Sequence, residues 1–312
     1  TATNSTAGAK SFTLSNVKNP TATGATGTFQ IKTTNATDAA IDEKTDVAAV
    51  TITSGSLTSV SLTRASLVAG STGNATIAFT NANAIPTNGD VQITFPSGFD
   101  VSGITTATSA LDIGGALTAT VSGQVVTVNL GSGLSASIIV DDLILNNVKN
   151  PGVSGSTGTF AIETQDAGDV KIDEGTAAAL TITAAALTST SVTPASLAAG
   201  AAGNVTVSFT TINTLPSNGK VVVTLASGFA LSSGAATTAG GLTGLDGTLT
   251  ASIVGQVITL TRGGAATNST AGAKSFTLSN VKNPTATGAT NTFQIKTTNA
   301  TDVAIDQDLS VA

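Results

Sequence analysis

The stretch Asn204-Val-Thr-Val-Ser-Phe-Thr210 decides the fold class, because its apolar and polar residues alternate without interruption. In an extended chain, Val205, Val207 and Phe209 fall on one face, and the threonine and serine between them fall on the other. β-Branched residues suit a pleated surface that is buried on one side. The segment therefore predicts a β-strand with one face in an apolar core.

The same alternation recurs along the chain, and turn residues such as Pro86-Thr-Asn-Gly89 and Gly255-Gln256 separate the runs. No sustained helical period of 3.6 residues is present. We therefore predict an all-β protein made of tandem immunoglobulin-like antiparallel β-sandwiches, with seven to nine short strands in each domain. The other alternating sets are Val91, Ile93 and Phe95; Val126, Val128 and Leu130; Phe29 and Ile31; Phe160 and Ile162; and Phe276 and Leu278.

Internal repeats indicate where the domains begin and end. The segment Leu57–Gly70 recurs, with changes, at Leu187–Gly200, and the pentapeptide Asn-Val-Lys-Asn-Pro occurs three times. A spacing of about 130 residues is too long for a solenoid and is the size of a whole domain. We expect sandwiches at residues 53–183 and 184–312, and residues 1–52 to be the back half of a third.

A second, longer period lies above the first. Residues 1–43 and 265–307 are identical at 39 of 43 positions, whereas the middle copy, around residues 147–174, is more divergent. The most recently duplicated unit is therefore a block of 264 residues that contains two domains. We interpret the chain as slightly more than one period of this block.

The half-domain at the N-terminus is expected to be incomplete. A sandwich sheet buries one face against a second sheet, and three or four strands cannot supply both sheets. The segment 184–312 has the smaller defect that it lacks a last strand like Leu180-Thr-Ile-Thr183. We expect a neighbouring copy to complete residues 1–52. The candidate residues of this assembly core are Phe12, Leu14, Val17, Phe29 and Ile31.

A family resemblance accompanies this pattern. The chain twice carries Leu-Thr-x-x-Ser-x-Thr-x-Ala-Ser-Leu, each time followed by Ser-Gly-Phe and Asn-Val-Lys-Asn-Pro. This order of motifs resembles tandem Ig-like repeats of extracellular microbial surface and fibril proteins, and it extends over essentially the whole chain. The resemblance implies a stalk, coat or filament rather than catalytic chemistry.

Composition excludes several classes of function. The chain contains no Cys, Met, Trp or Tyr and no His, so zinc fingers, disulfides and Ser-His-Asp triads are not available. Its net charge of -6, with 12 Lys and Arg, does not suit nucleic-acid binding. No apolar run is long enough to span a membrane. We predict a protein that is not an enzyme, needs no cofactor and is located outside the cell or on its surface.

The sequence thus favours a structural subunit of an extracellular filament, whose partners are copies of itself that pair by β-strand complementation. A stalk segment of a long repetitive surface adhesin is the first alternative. A carbohydrate-binding module is the second, although sugar-binding faces usually present Trp or Tyr rings.

Two kinds of modification or ligand site are candidates. N-x-Ser/Thr sequons offer positions for covalent glycans, although chance alone predicts about six in so Ser- and Thr-rich a chain. Asp166, Asp169 and Asp173 are candidate Ca²⁺ ligands, but their spacing does not match an EF-hand, and a solvated hairpin is the alternative. No metal site is predicted with a defined ligand set. The glycosylation candidates are Asn4, Asn35, Asn74, Asn204, Asn268 and Asn299.

Overall fold

The computed structural model describes residues 6–231 and 240–312, and within these ranges the regular structure consists of β-strands, with no helix. The prediction of an all-β protein is therefore confirmed. No helix of the described residues is long and apolar enough to cross a membrane.

The N-terminal segment, residues 1–52, is called the head. Its described part holds two strand pairs, β1 with β4 and β2 with β3, both antiparallel. These strands are β1 (Gly24–Ala25), β2 (Phe29–Thr34), β3 (Ala40–Val47) and β4 (Thr51–Ile52). No strand is present between residues 6 and 23 of the head.

Strands β5 to β16 form the first sandwich, whose two sheets have the orders β10-β11-β8-β14-β15-β5 and β6-β7-β12-β9. Their bounds are β5 (Gly55–Ser56), β6 (Thr58–Arg64), β7 (Thr72–Thr80), β8 (Gly89–Thr94), β9 (Ala107–Thr108), β10 (Leu117–Ser122), β11 (Val125–Leu130), β12 (Ile139–Lys149), β13 (Gly155–Ser156), β14 (Phe160–Gln165), β15 (Lys171–Ala177) and β16 (Thr181–Ile182). Strand β16 pairs outside these sheets, with β13.

Strands β17 to β27 form the second sandwich, whose sheets repeat the first arrangement as β23-β24-β20-β26-β27-β17 and β18-β19-β25-β21, with β22 also on β25. Their bounds are β17 (Ala185–Ala186), β18 (Thr188–Pro194), β19 (Ala202–Thr211), β20 (Lys220–Thr224), β21 (Ala230–Leu231), β22 (Gly240–Thr243), β23 (Thr248–Val254), β24 (Val257–Gly263), β25 (Gly272–Lys282), β26 (Phe293–Thr298) and β27 (Ala304–Val311). Among the described residues, eight strands of each sandwich are five residues or longer.

Each sandwich has its own apolar core between its two sheets. The first core includes Phe95, Phe99 and Phe160, whose rings meet edge to face with centroids 5.4 to 5.6 Å apart. In the second core, Phe209 and Phe276 make a similar contact across neighbouring strands. The alternation seen in the sequence determines these faces, since every second residue of the strands is buried.

Tight turns connect the strands where the sequence predicts them. Strands β10 and β11 are joined by Gly123-Gln124, and β23 and β24 by Gly255-Gln256, both two-residue hairpin loops. The two glycines have φ values of 59° and 60°, a conformation that L side chains rarely adopt. These loops fix the register of the hairpins at the edges of the two six-stranded sheets.

Candidate assembly surfaces

The head exposes apolar side chains whose counterparts in the near-identical segment 265–307 are buried. Phe12 is 73% exposed, whereas the corresponding Phe276 of the second sandwich is 0% exposed. The same contrast holds for the other residues of the predicted assembly core. Their side chains are exposed in the head, and the side chains of their counterparts in the second sandwich are buried. The pairs are Leu14 and Leu278, Val17 and Val281, Phe29 and Phe293, and Ile31 and Ile295.

Missing partner strands cause this difference. Residues Gly8–Lys18 have the same sequence as β25, which lies between β19 on one side and β21 and β22 on the other. The described part of the head, residues 6–52, contains no equivalent of these strands, and its segment 8–18 forms no strand. An extended segment without hydrogen-bonding neighbours is only marginally stable in water.

The hairpin of the head is formed, but β2 pairs along one edge only. Strands β2 and β3 pair in the same register as β26 and β27, with Phe29 opposite Val47 and Phe293 opposite Val311. In the second sandwich, however, β26 also pairs with β20 along its other edge. The edge of β2 that corresponds to it carries no strand. A free edge next to an apolar face is a template for strand addition.

A second incomplete surface is a groove on the second sandwich. In the first sandwich the equivalent place holds the linker segment Leu180–Thr183, which includes β16. On one side it pairs with β13; on the other, Thr183 N donates to Leu67 O and Ala69 N donates to Thr183 O, both at 2.8 Å. Ile182 in this segment is 2% exposed.

Among the described residues, no segment fills the corresponding groove of the second sandwich. It lies between the loop around Leu197 and the stretch that follows Pro284, and Phe229 lies at its base. Leu197 is 87% exposed, against 40% for its counterpart Leu67. Ala199 is also exposed, although its counterpart Ala69 is buried.

The units meet through contacts that recur along the chain. Thr23 N of the head donates to Lys171 O of the first sandwich at 2.9 Å. At the equivalent position in the repeat, Ser154 N of the first sandwich donates to Ala304 O of the second at 2.8 Å. We call the contact region between the head and the first sandwich the first joint, and the region between the two sandwiches the second joint. Across the second joint, Asn213 Nδ2 also donates to Ala69 O at 3.2 Å. The two joints therefore share one equivalent backbone hydrogen bond.

In each sandwich, a buried carboxylate near the joint accepts hydrogen bonds from an asparagine. Asp173 accepts hydrogen bonds from Asn83 N and Asn83 Nδ2, and Asp306 accepts the equivalent bonds from Asn213. Burial raises the pKa of Asp306, and the hydrogen bonds from Asn213 oppose that shift. Asp42, the corresponding residue of the head, is exposed and bonds to Thr33 of its own hairpin.

The candidate calcium ligands are not brought together. Asp166 uses one carboxylate oxygen to accept hydrogen bonds from Gly168 N and Val170 N within its turn. Asp173 is buried and accepts hydrogen bonds from Asn83. Asp169 is exposed at the tip of the hairpin. Among the described residues, no group of three or more acidic side chains is placed to hold a metal ion.

Most of the sequons lie at the surface. Asn35, Asn74, Asn204 and Asn268 are exposed, and Asn299 is half-buried. Asn35 and Asn299 each accept hydrogen bonds through Oδ1 from their own turn, which does not involve the nitrogen that would carry a glycan. Asn4 lies outside the described residues.

The polar contacts of the joint could not be predicted from the sequence. One signal was present, because Asn83 and Asn213, like Leu67 and Leu197, occupy the same place in successive repeats. Polar residues at equivalent positions are compatible with many surface roles, however. Their pairing with a buried carboxylate depends on contacts between residues about 90 positions apart.

Comparison with known proteins adds little to this geometry. No protein-family model and no curated protein matches the sequence. Among solved structures, the chain is similar to a type II cohesin dyad from the ScaA scaffoldin of Acetivibrio cellulolyticus (11% identity, 76% of this chain and 86% of that one, TM-score 0.22). It is also similar to the collagen-binding domain of the Erysipelothrix rhusiopathiae surface protein RspB (11%, 83% and 91%, 0.22) and to a putative membrane-anchored protein from Corynebacterium diphtheriae (11%, 81% and 89%, 0.21). Likeness at this level carries no argument about what the chain does.

Proposed function

We propose that this protein is a structural subunit of an extracellular filament, in which residues 184–264 of one copy cover the head of the next. The observation that supports this proposal is the pair of near-identical segments 1–43 and 265–307, one with its apolar face exposed and the other with it buried. What buries that face in the second sandwich is the front half, residues 184–264. A second copy therefore carries a surface that fits the head.

The assembly step is an exchange between copies. The head of one copy takes the place of residues 265–312 in the second sandwich of another, where it pairs with β19 and β20. The two segments offer the same apolar side chains to that site, each contributing roughly 1.5–3 kcal/mol when buried. Burial of the head therefore offsets the exposure of the displaced residues 265–312. Because the head stays covalently joined to its own first sandwich, each exchange links two copies end to end. Repetition gives an open chain of sandwiches.

An extracellular location fits the composition. Charged residues make up 10% of the chain, it contains no cysteine, and threonine-rich surfaces accept glycans outside cells. We assign no enzymatic activity to it. The buried carboxylates of Asp173 and Asp306 accept hydrogen bonds that hold loops at the joints.

The test is a substitution that blocks the exchange without affecting the separate chain. Phe12→Asp places a charge on a side chain that is 73% exposed before assembly and buried after it. We expect this variant of the 312-residue chain to keep the melting temperature of the wild type but to form no filaments after refolding at high concentration. Sedimentation and electron microscopy measure the outcome.

The matched control is Leu111→Asp, because Leu111 is 85% exposed and lies outside the head. We expect it to assemble like the wild type. If Phe12→Asp assembles equally well, or if the wild type remains at the mass of a single copy, the proposal is wrong.

A stalk within a longer polypeptide is the second candidate, and the 264-residue repeat favours it. In that arrangement the front half that covers the head belongs to the same chain, and no exchange is needed. Both candidates predict the same contacts between the head and a front half, so the covalent connection distinguishes them.

A further inference from the structure

We propose that a small cavity of the second sandwich binds the guanidinium group of another molecule. This inference goes beyond the filament function and does not depend on it. The cavity has a volume of about 130 Å³ and lies beside Pro194, with Gly203, Val281 and Asn283 in its wall. Of the described residues, those that line it are all uncharged.

The first sandwich shows which group this place accommodates. Arg64 is the counterpart of Pro194, since the two residues occupy the same place in the two repeated segments. Its guanidinium donates from Nε to Asn150 Oδ1 at 2.9 Å, from Nη1 to Gly73 O at 2.8 Å and from Nη2 to Val148 O at 2.6 Å. Three neutral oxygens therefore converge on one planar cation.

The second sandwich contains the counterparts of all three acceptors. The valine and asparagine acceptors belong to the repeated Asn-Val-Lys-Asn-Pro motif, in which their counterparts are Val281 and Asn283. The counterpart of the glycine acceptor is Gly203, which pairs with Val281 as the equivalent residues pair in the first sandwich. A proline side chain has no hydrogen-bond donor, so Pro194 cannot replace the guanidinium.

Asn283 holds its amide in the same orientation as Asn150. Its Nδ2 donates to Ser196 O at 2.7 Å and to Ala198 O at 2.9 Å, and Nδ2 of Asn150 donates to the equivalent carbonyls of the first sandwich. Its Oδ1 is therefore turned toward the side that Arg64 occupies in the first sandwich. Asn283 is 8% exposed, and none of the described residues donates a hydrogen bond to its Oδ1. Pairing this acceptor with a charged donor is favourable.

A guanidinium suits these acceptors better than an ammonium. It presents its N–H donors in a planar fork and is weakly hydrated, whereas an ammonium is a compact and strongly hydrated point charge. The chain has two arginines, Arg64 and Arg262, and both donate to several internal acceptors. We therefore expect the ligand to come from a molecule other than a copy of this chain. The two probes below distinguish an arginine side chain from a free guanidinium compound.

The exchange proposed for the filament leaves the composition of this site unchanged. Its two acceptors from residues 265–312 are replaced by Val17 and Asn19 of the head, which lie in the same Asn-Val-Lys-Asn-Pro motif. Pro194 and Gly203 belong to the front half, which stays in place. Binding can therefore be measured on the separate chain, whatever the outcome of the assembly experiment.

The experiment titrates the dilute 312-residue chain with N-methylguanidinium and with the peptide acetyl-Gly-Arg-Gly-amide, followed by NMR. We expect saturable shifts of the amides of Gly203 and Val281 and of the side-chain amide of Asn283. Acetyl-Gly-Lys-Gly-amide is the matched control. It should bind at least ~10-fold more weakly, since losing one charge-assisted hydrogen bond costs about tenfold in affinity. Binding of both probes supports a site for arginine side chains, and binding of N-methylguanidinium alone supports a site for free guanidinium compounds.

A variant that fills the cavity tests the location. Pro194→Arg introduces into the second sandwich the side chain type that occupies this place in the first, and it should weaken binding of both probes at least ~10-fold. Thr188→Arg adds the same charge at an exposed position of the same strand, β18, outside the cavity. It should bind both probes like the wild type.

Arg64→Ala tests the same chemistry in the first sandwich and does not depend on the folding of Pro194→Arg. Its three acceptors lose their donor, so we expect a lower melting temperature than that of the wild type. N-Methylguanidinium should bind a second equivalent in this variant and raise its melting temperature. Absence of saturable binding of either probe to the wild type, equal binding of the lysine peptide, or equal binding by Pro194→Arg overturns the proposal.

Discussion

Two glycines share one backbone conformation but differ in their surroundings. Gly70 has φ +68° and Gly200 has φ +69°. A Cβ atom at Gly70 would lie 1.7 Å from Asn213 Oδ1 of the second sandwich, whereas at Gly200 the nearest atom, Thr285 Cγ2, would be 3.8 Å away. Position 70 is restricted by the next sandwich as well as by the backbone, and position 200 by the backbone alone.

We therefore expect Gly70→Ala to destabilise the chain more than Gly200→Ala. Both variants carry the left-handed backbone penalty of about 1–2 kcal/mol. Only Gly70→Ala also displaces Asn213, which donates to both Ala69 O and Asp306. Calorimetric melting temperatures measure the difference, and equal losses in the two variants would show that the joint does not depend on this contact.

The polar contacts of the joint could not be predicted from the sequence, unlike the apolar faces of the strands. The apolar residues of the head, such as Phe12 and Leu14, could be identified because alternation and repetition mark them. Asn213 could not, because its partner Asp306 is 93 positions away and Ala69 is 144 positions away. Which polar groups meet at a joint is determined by the packing of whole sandwiches rather than by a local pattern.

At the scale of elements, the chain contains its own control for strand formation. Gly8–Lys18 and Gly272–Lys282 have identical sequences, yet only the second is a strand. Local sequence therefore predicts the face that a strand would present but not whether the strand forms, because the partner β19 provides the hydrogen bonds. The hairpin β2–β3 pairs through contacts within its own segment, and the same pairing is present in both contexts.

Hydrogen exchange measured by NMR on the dilute chain should separate the two copies. We expect the amides of Phe12–Val17 to exchange at rates close to those of an unfolded peptide and those of Phe276–Val281 to be strongly protected. Assembly should transfer protection to Phe12–Val17. Protection of both segments in the separate chain would contradict the incomplete head.

At the scale of the whole molecule, near-identity makes exchange between copies nearly neutral for the contacts that residues 1–43 and 265–307 share. Its direction is then decided by contacts that only one of them can make. One such contact is the backbone hydrogen bond from Thr23 N of the head to Lys171 O of its own first sandwich.

The mass of denatured filament material distinguishes exchange from a continuous stalk. If copies are linked by exchange, denaturant should release chains with the mass of one 312-residue copy, after removal of glycans. Chains several times larger would instead support the long polypeptide. Intact-mass spectrometry makes the measurement.

The repeated joint has a geometric consequence. Thr23 with Lys171 and Ser154 with Ala304 make equivalent backbone hydrogen bonds, one between the head and the first sandwich and one between the two sandwiches. In the proposed filament, where a completed head is itself a sandwich, we expect the joints to repeat one rotation and translation. Repeating a single screw operation traces a helix. The hydrogen bonds at the joints would then help to set the helical pitch of the fibre. A small change in one of them, repeated at every joint, would change the pitch of the whole fibre.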